Sequence, residues 1–358
     1  MTTFRVLKCA TILAILAASF VSAALALDGD LLDVRDSVDA PIPVIFDTDI
    51  GGDIDDAFAL ALFHNFESRG VCKLLGVTTT DVNPAVSGYV AAFNAHYGRP
   101  EIPVGVGVGR EDDSYLSGIT SQKNASGALE YPIPEGFKAR EAVPLLRELL
   151  AAAADRSVVI VQVGSCSNLA ALLDSPGDAA SPLVGRDLVE KKVRLVSVMG
   201  GAFAIDESAA DYAKHREWNI ICDVPAAQKL VREWPTEIVF SGYEIGDRIR
   251  MNPVNLKNDY SGRSKILHDS FGYWTAKNTK EGFDHRRPTW DLTAVLFVMR
   301  PESGRGYYTL SEPGDVEFDD DGVTRFTPNP EGKRRCYLQD EAARVRVGEA
   351  FVNLCSEP

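Results

Sequence analysis

Five aspartates fall within ten residues: Asp47, Asp49, Asp53, Asp55 and Asp56. Like charges this close repel one another, and a helix N-terminus offsets only about 0.3–1 kcal/mol per charge. A hard divalent cation does far more, since Ca²⁺ gathers roughly six to eight oxygen ligands. One or two acids before a helix read as a solvated turn with a cap. Five, with two adjacent, point to a metal or proton-transfer site. Trp290-Asp291 repeats the theme late in the chain, with an acid directly before the apolar run Leu292 to Val295. Taken alone, Asp291 reads as a helix cap; paired with the early cluster, it is a candidate ligand.

These acids need elements to hold them. Val44, Ile45 and Phe46 form a short apolar run suited to a buried parallel strand. Gly51 and Gly52 permit a sharp turn. Ala57, Phe58, Leu60, Ala61 and Phe63 then recur with helical spacing. In an open α/β sheet, ligands bind at the carboxyl ends of the strands, which is where this strand–turn–helix puts its carboxylates. Further strands are expected at 73–80, 102–106, 158–163, 193–199 and 238–240. Helices are expected at 84–97, 141–154, 168–173, 223–233 and 341–355. The alternation predicts an α/β fold with a doubly wound, mainly parallel sheet flanked by helices. Residues 107–135 read as a long polar loop or lid. Residues 302–336 mix aromatics with acids and glycines and predict a small β-rich C-terminal addition, a hairpin outside the main sheet.

The chain has 358 residues and a net charge of −14, without a long basic run. That balance argues against nucleic acid or an anionic membrane surface as partner. Arg5 and Lys8 precede an apolar segment from Ala10 to Ala26, with Ala24-Leu25-Ala26 or Val21-Ser22-Ala23 as cleavage site. Residues 1–26 read as a secretory signal, with an uncleaved anchor as the alternative, so the expected location is secreted or periplasmic. Residues 27–42 are a polar lead-in and 43–358 the folded domain. Losing Cys9 with the signal leaves five of six cysteines, none in a C-x-x-C pair, so no zinc site is expected. Cys336 and Cys355 are a candidate pair.

The segment DTDIGGDIDDAFAL at 47–60 resembles the N-terminal signature of the nucleoside hydrolases, the inosine/uridine-preferring family, in a variant two residues longer than the common D-x-D-x-G-x-D-D-A. The resemblance extends over most of 43–300. It implies hydrolysis of the N-glycosidic bond of purine or pyrimidine ribonucleosides to ribose and free base, by a calcium-held water activated by an aspartate. It implies Asp49 as general base. It implies Ca²⁺ ligands from Asp49, Asp56, Asp291 and the main-chain carbonyl of Val163, in VIVQVGSCSNLA. Asp55 and Asn83 match residues that hold the ribose, and Glu217-Trp218-Asn219 matches an E-F-N segment whose Glu and Asn contact the sugar's far hydroxyl. Asp47 stands as a supporting partner, and a homodimer or homotetramer is expected. The plain alternative for Asn83 is turn chemistry before Pro84.

The sequence departs from that family at one position. The histidine expected immediately before the late aspartate is Trp290, assigned here to substrate contact; His285 is a candidate replacement, and Tyr243, Tyr273 and Trp274 are candidate stacking partners. Two other readings stay open: a non-catalytic riboside-binding protein on the same scaffold, and a haloacid-dehalogenase-type phosphatase, whose D-x-D motif Asp47-Thr48-Asp49 imitates.

Overall fold

The apolar runs become strands of one sheet because each is buried on both faces and so needs no polar alternation. The computed structural model describes residues 40–111, 115–203, 207–251, 262–299, 307–338 and 341–356. The proposed signal segment, 1–26, and most of the lead-in lie outside them. The strands are β1 (Ile42–Thr48), β2 (Cys72–Asp81), β3 (Val104–Arg110), β4 (Arg140–Glu141), β5 (Val158–Gln162), β6 (Val193–Met199) and β7 (Glu237–Ser241). Four more follow: β8 (Thr309–Leu310), β9 (Gly314–Phe318), β10 (Thr324–Pro328) and β11 (Arg334–Leu338).

The order across the sheet is β10-β9-β11-β7-β6-β5-β1-β2-β3-β4, with β8 on β11. From β7 to β4 every pairing is parallel. The chain runs outward from β1 to β4, then returns to the other side of β1 at β5. This reversal opens a crevice at the carboxyl ends of β1 and β5, the place where such sheets bind ligands.

The pleat divides the core. Val44 and Phe46 point into one apolar cluster with the helices Asp55–Ser68, Pro84–His96, Lys265–Asn278 and Trp290–Met299. Ile45 points the other way, into a cluster with the helices Ala142–Ala152, Ser167–Asp174, Gly185–Lys192 and Val224–Glu233. The closing helix Glu341–Ser356 packs on the helix Asp55–Ser68 through Val347, Phe351 and Leu354. Asn65 Nδ2 fixes its end by donating to the Leu354 carbonyl at 2.8 Å.

Two features differ from expectation. The stretch 107–135 is not wholly loop: β3 runs to Arg110 and a helix spans Leu116–Ser121. The C-terminal hairpin does not stand outside the sheet. β11 pairs in parallel with β7, Arg334 opposite Ile238, and β9–β10 continue the same sheet antiparallel. The physical reason is that β7 would otherwise leave an open row of backbone donors and acceptors, while Val316 and Phe318 extend the apolar face around Phe240. Cys355 is a buried free thiol, and the Cys336 side chain lies outside the described residues. No helix among the described residues is long and apolar enough to cross a membrane.

Candidate active site

The crevice holds a cavity of about 530 Å³. Its acidic floor is built by the turn after β1. Gly51 has φ 130°, a conformation L side chains rarely adopt, and this lets the chain reverse into the helix Asp55–Ser68. Gly164, at the end of β5, has no room for a side chain: a Cβ there would lie 2.7 Å from the Asp49 amide. The β1 and β5 ends therefore approach backbone to backbone.

Asp55 and Asp56 occupy the first turn of that helix and are almost fully buried, as is Asp291 in the first turn of the helix Trp290–Met299. One carboxylate oxygen from each lies within 4.8 Å of the other two. The Asp291 amide donates to Asp55 Oδ2 at 3.3 Å, and the Thr48 hydroxyl donates to Asp56 Oδ1. Burial, reinforced by neighbouring carboxylates, holds all three acids above the usual carboxylate range. Asp47 lies outside the lining. Its Oδ1 accepts from Thr78 Oγ1 at 2.5 Å and Asn168 Nδ2 at 2.8 Å, and burial pushes the group up to about 7.

The structure brings Asp49, Asp55, Asp56, Val163, Glu217, Asn219, Trp290 and Asp291 to the one cavity. Asp55, assigned to the sugar from sequence, clusters with Asp56 and Asp291, while Asp49 lines the same cavity and its charge helps to raise all three. The Val163 carbonyl accepts from Asn219 Nδ2 at 2.7 Å, and a carbonyl keeps a second lone pair for another partner. Glu217 caps the short helix Trp218–Cys222: its carboxylate accepts the amides of Asn219 at 3.0 Å, Ile220 at 3.2 Å and Gly201 at 3.1 Å. Burial still pushes it up to about 7.

Asn83 is placed elsewhere. It caps the helix Pro84–His96, its Oδ1 accepting the Ala85 amide at 2.9 Å, and it does not line the cavity. His285 also does not line it; its Nδ1 meets Glu281 at 2.9 Å. Tyr243 does, its ring tilted 33° to that of Trp290 with centroids 5.1 Å apart. Tyr273 instead lies over Gly118, and Trp274 stacks on a guanidinium.

That guanidinium, Arg287, is the residue sequence reasoning missed. It is sandwiched between Trp274 and Trp290 at 4.9 and 4.8 Å, pairs with Asp53, and lies 3.5 Å from Asp55. Burial lowers it to about 10. One of two arginines in a polar stretch carries no sequence signal for this role. Thr80, Asp81, Ser165, Ser167 and Asp223 also line the cavity, with Ser167 donating to Asp223 at 2.6 Å.

One buried arginine does not balance the acids of this floor. Three desolvated carboxylates whose hard oxygens converge fit a divalent, oxygen-preferring cation. The arrangement therefore defines a class: an α/β protein with a carboxylate cation site at the switch point of its sheet.

Comparison with known proteins makes the class specific. The family model described as inosine-uridine preferring nucleoside hydrolase matches residues 44–350, and the chain belongs to this family. It is 24% identical over 266 residues, 73% of this chain and 80% of the relative, to the non-specific ribonucleoside hydrolase RihC of Klebsiella pneumoniae. A plant nucleoside hydrolase, PpNRh1, superposes with a TM-score of 0.66 at 21% identity, covering 89% of this chain and all of the other. A purine-preferring ribonucleoside hydrolase from Gardnerella vaginalis gives 0.63 at 17%, covering 88% and 98%. The two structures share the fold. The family is one of metal-dependent hydrolases acting on ribonucleosides.

Proposed function

We propose that this chain cleaves the N-glycosidic bond of ribonucleosides, releasing ribose and free base by direct attack of water. The observation that carries the reading is the convergence of Asp55, Asp56 and Asp291 at the floor of a cavity also lined by Asp49, Glu217 and Asn219. Asp56, Asp291, Asp49 and the Val163 carbonyl would hold Ca²⁺, which supplies a positive centre to position and acidify the attacking water.

Every other role falls to the chain itself. Asp49 accepts the proton of the attacking water. Asp55 binds ribose hydroxyls and faces the positive charge that develops as the bond stretches towards an oxocarbenium-like transition state. Glu217 and Asn219, fixed by their backbone bonds, orient the far hydroxyl of the sugar. Trp290 and Tyr243 shape the side where the base departs. The same reading carries export by the N-terminal segment and a homo-oligomeric state.

The test is base release from inosine, uridine, cytidine and adenosine, with Ca²⁺ and with chelator. Chelator-sensitive release supports the proposal. Binding of ribosides without any release would replace it with a non-catalytic binding protein.

A further inference from the structure

The C-terminal hairpin does not line the cavity, yet it grips the segment that carries Glu217 and Asn219. Its tip, between β9 and β10, runs from Asp319 to Val323. At the start of β10, Thr324 Oγ1 accepts the Ala202 amide at 2.9 Å. Arg216 forms an isolated antiparallel bridge with Val323, and its Nε donates to the Asp321 carbonyl at 2.6 Å. Gly322, at φ 84°, has no room for a side chain: a Cβ there would lie 2.7 Å from Ile221 Cγ2. Gln228 Nε2, in the helix Val224–Glu233, donates to the Phe318 carbonyl at 3.1 Å.

Two of these contacts fall beside one hydrogen bond of the cavity. Of the three amides that Glu217 accepts, those of Asn219 and Ile220 belong to its own helix, Trp218–Cys222, and move with it. The third comes from Gly201, in the turn after β6, at 3.1 Å, and sets the Glu217 carboxylate against the end of that strand. The hairpin holds the chain neighbour of each partner, Ala202 beside Gly201 and Arg216 beside Glu217. Thr324 Oγ1 also lies 3.0 Å from where a Gly201 Cβ would stand, so the turn is seated closely on β10.

Resting on the reading above, in which Glu217 and Asn219 orient the sugar's far hydroxyl, we infer that Thr324 and Arg216 are positioning residues for that hydroxyl, the one on C5′. They act through Glu217. Its Oε2 takes the amides of Gly201 and Ile220, whereas Oε1 takes only that of Asn219 and keeps a lone pair for a sugar hydroxyl. A hydrogen bond to that oxygen needs it held to within about 0.5 Å. Releasing Ala202 or Arg216 from the hairpin loosens the Gly201–Glu217 bond and lets Oε1 swing. Asp55, Asp56 and Asp291 are carried by other elements and stay where they are. The hairpin therefore sets how strongly the site discriminates in favour of ribosides that carry the C5′ hydroxyl.

The experiment measures kcat and KM on the full chain with Ca²⁺ for two matched pairs, uridine with 5′-deoxyuridine and inosine with 5′-deoxyinosine. Thr324→Val removes the acceptor of the Ala202 amide and keeps the side-chain shape, while Thr324→Ser keeps the acceptor. Arg216 is exposed, so Arg216→Ala decides the matter should Thr324→Val fail to fold. Thr324→Val is expected to lower kcat/KM at least about fivefold on uridine or inosine, the effect of about one hydrogen bond, and less than about twofold on the 5′-deoxy partner. Thr324→Ser should restore the activity of the unmodified chain. Equal losses on both members of a pair, or no loss, overturn the inference and leave the hydrolase reading standing. Equal turnover of both members by the unmodified chain takes Glu217 and Asn219 off the hydroxyl and overturns it as well. No release from any riboside overturns both.

Discussion

Replacing Arg287 by methionine removes a charge while keeping much of the side-chain volume, and the structure says what that should cost. The ion pair with Asp53 is half exposed on the acid's side, 40%, and merits about 1 kcal/mol at most. The Asp55 contact is different. At 3.5 Å, with Asp55 only 3% exposed, it faces a buried acid, and breaking a buried pair costs about 3–5 kcal/mol. That cost is reduced here because Asp55 keeps the Asp291 amide and can take up a proton. Stacking on two indoles adds about 0.5–1 kcal/mol each. A net loss of about 3 kcal/mol follows for the metal-free protein. The same guanidinium repels a divalent cation at the carboxylate cluster, so Ca²⁺ should stabilise Arg287→Met more than it stabilises the unmodified chain. The assay is urea denaturation followed by circular dichroism, in chelator and in saturating Ca²⁺. Equal stability of the two proteins in chelator, or equal gains from Ca²⁺, would refute the reasoning.

Asp49→Ala should lower base release by about a thousandfold or more while leaving the protein folded, as expected for a general base; near-full activity removes Asp49 from the role. Asn83→Ala should cost about 1 kcal/mol of stability, the usual worth of an N-cap; an unchanged KM assigns Asn83 to the helix alone, and a large rise in KM returns it to the ribose. Glu244 is buried and held at about 8, burial outweighing the amide of Phe203 that it accepts at 3.0 Å. A carboxyl raised from 4.5 binds its proton more tightly when folded, so its contribution is full at low pH and is lost as pH rises towards and through about 8. Glu244→Gln should therefore flatten the fall in stability between about pH 5 and 8; an unchanged slope in urea midpoints would show that Glu244 does not titrate there.

What could be read in advance and what could not divide along a physical line. The early acids were legible because one strand, one turn and one helix carry them all, and local spacing fixes their relative positions. The parallel sheet was legible because β1, β5 and β6 are apolar runs between helical stretches. Asp291 needed the other acids to give it meaning, since a single acid before an apolar helix is as good a cap as a ligand. Asn83 shows the same ambiguity from the other side, for its cap geometry is local and visible while any ribose contact is not. Arg287 was invisible because its partners lie 234 and 232 positions away, at Asp53 and Asp55, and its two indoles come from separate elements. The C-terminal hairpin was legible as strands but not as part of the main sheet, since only the open edge of β7 determines where it docks. Local chemistry thus announces a carboxylate site, whereas the charge balance that decides what it accepts is set by long-range contacts. Substrate preference is consequently better argued from the cavity than from the motif that revealed it.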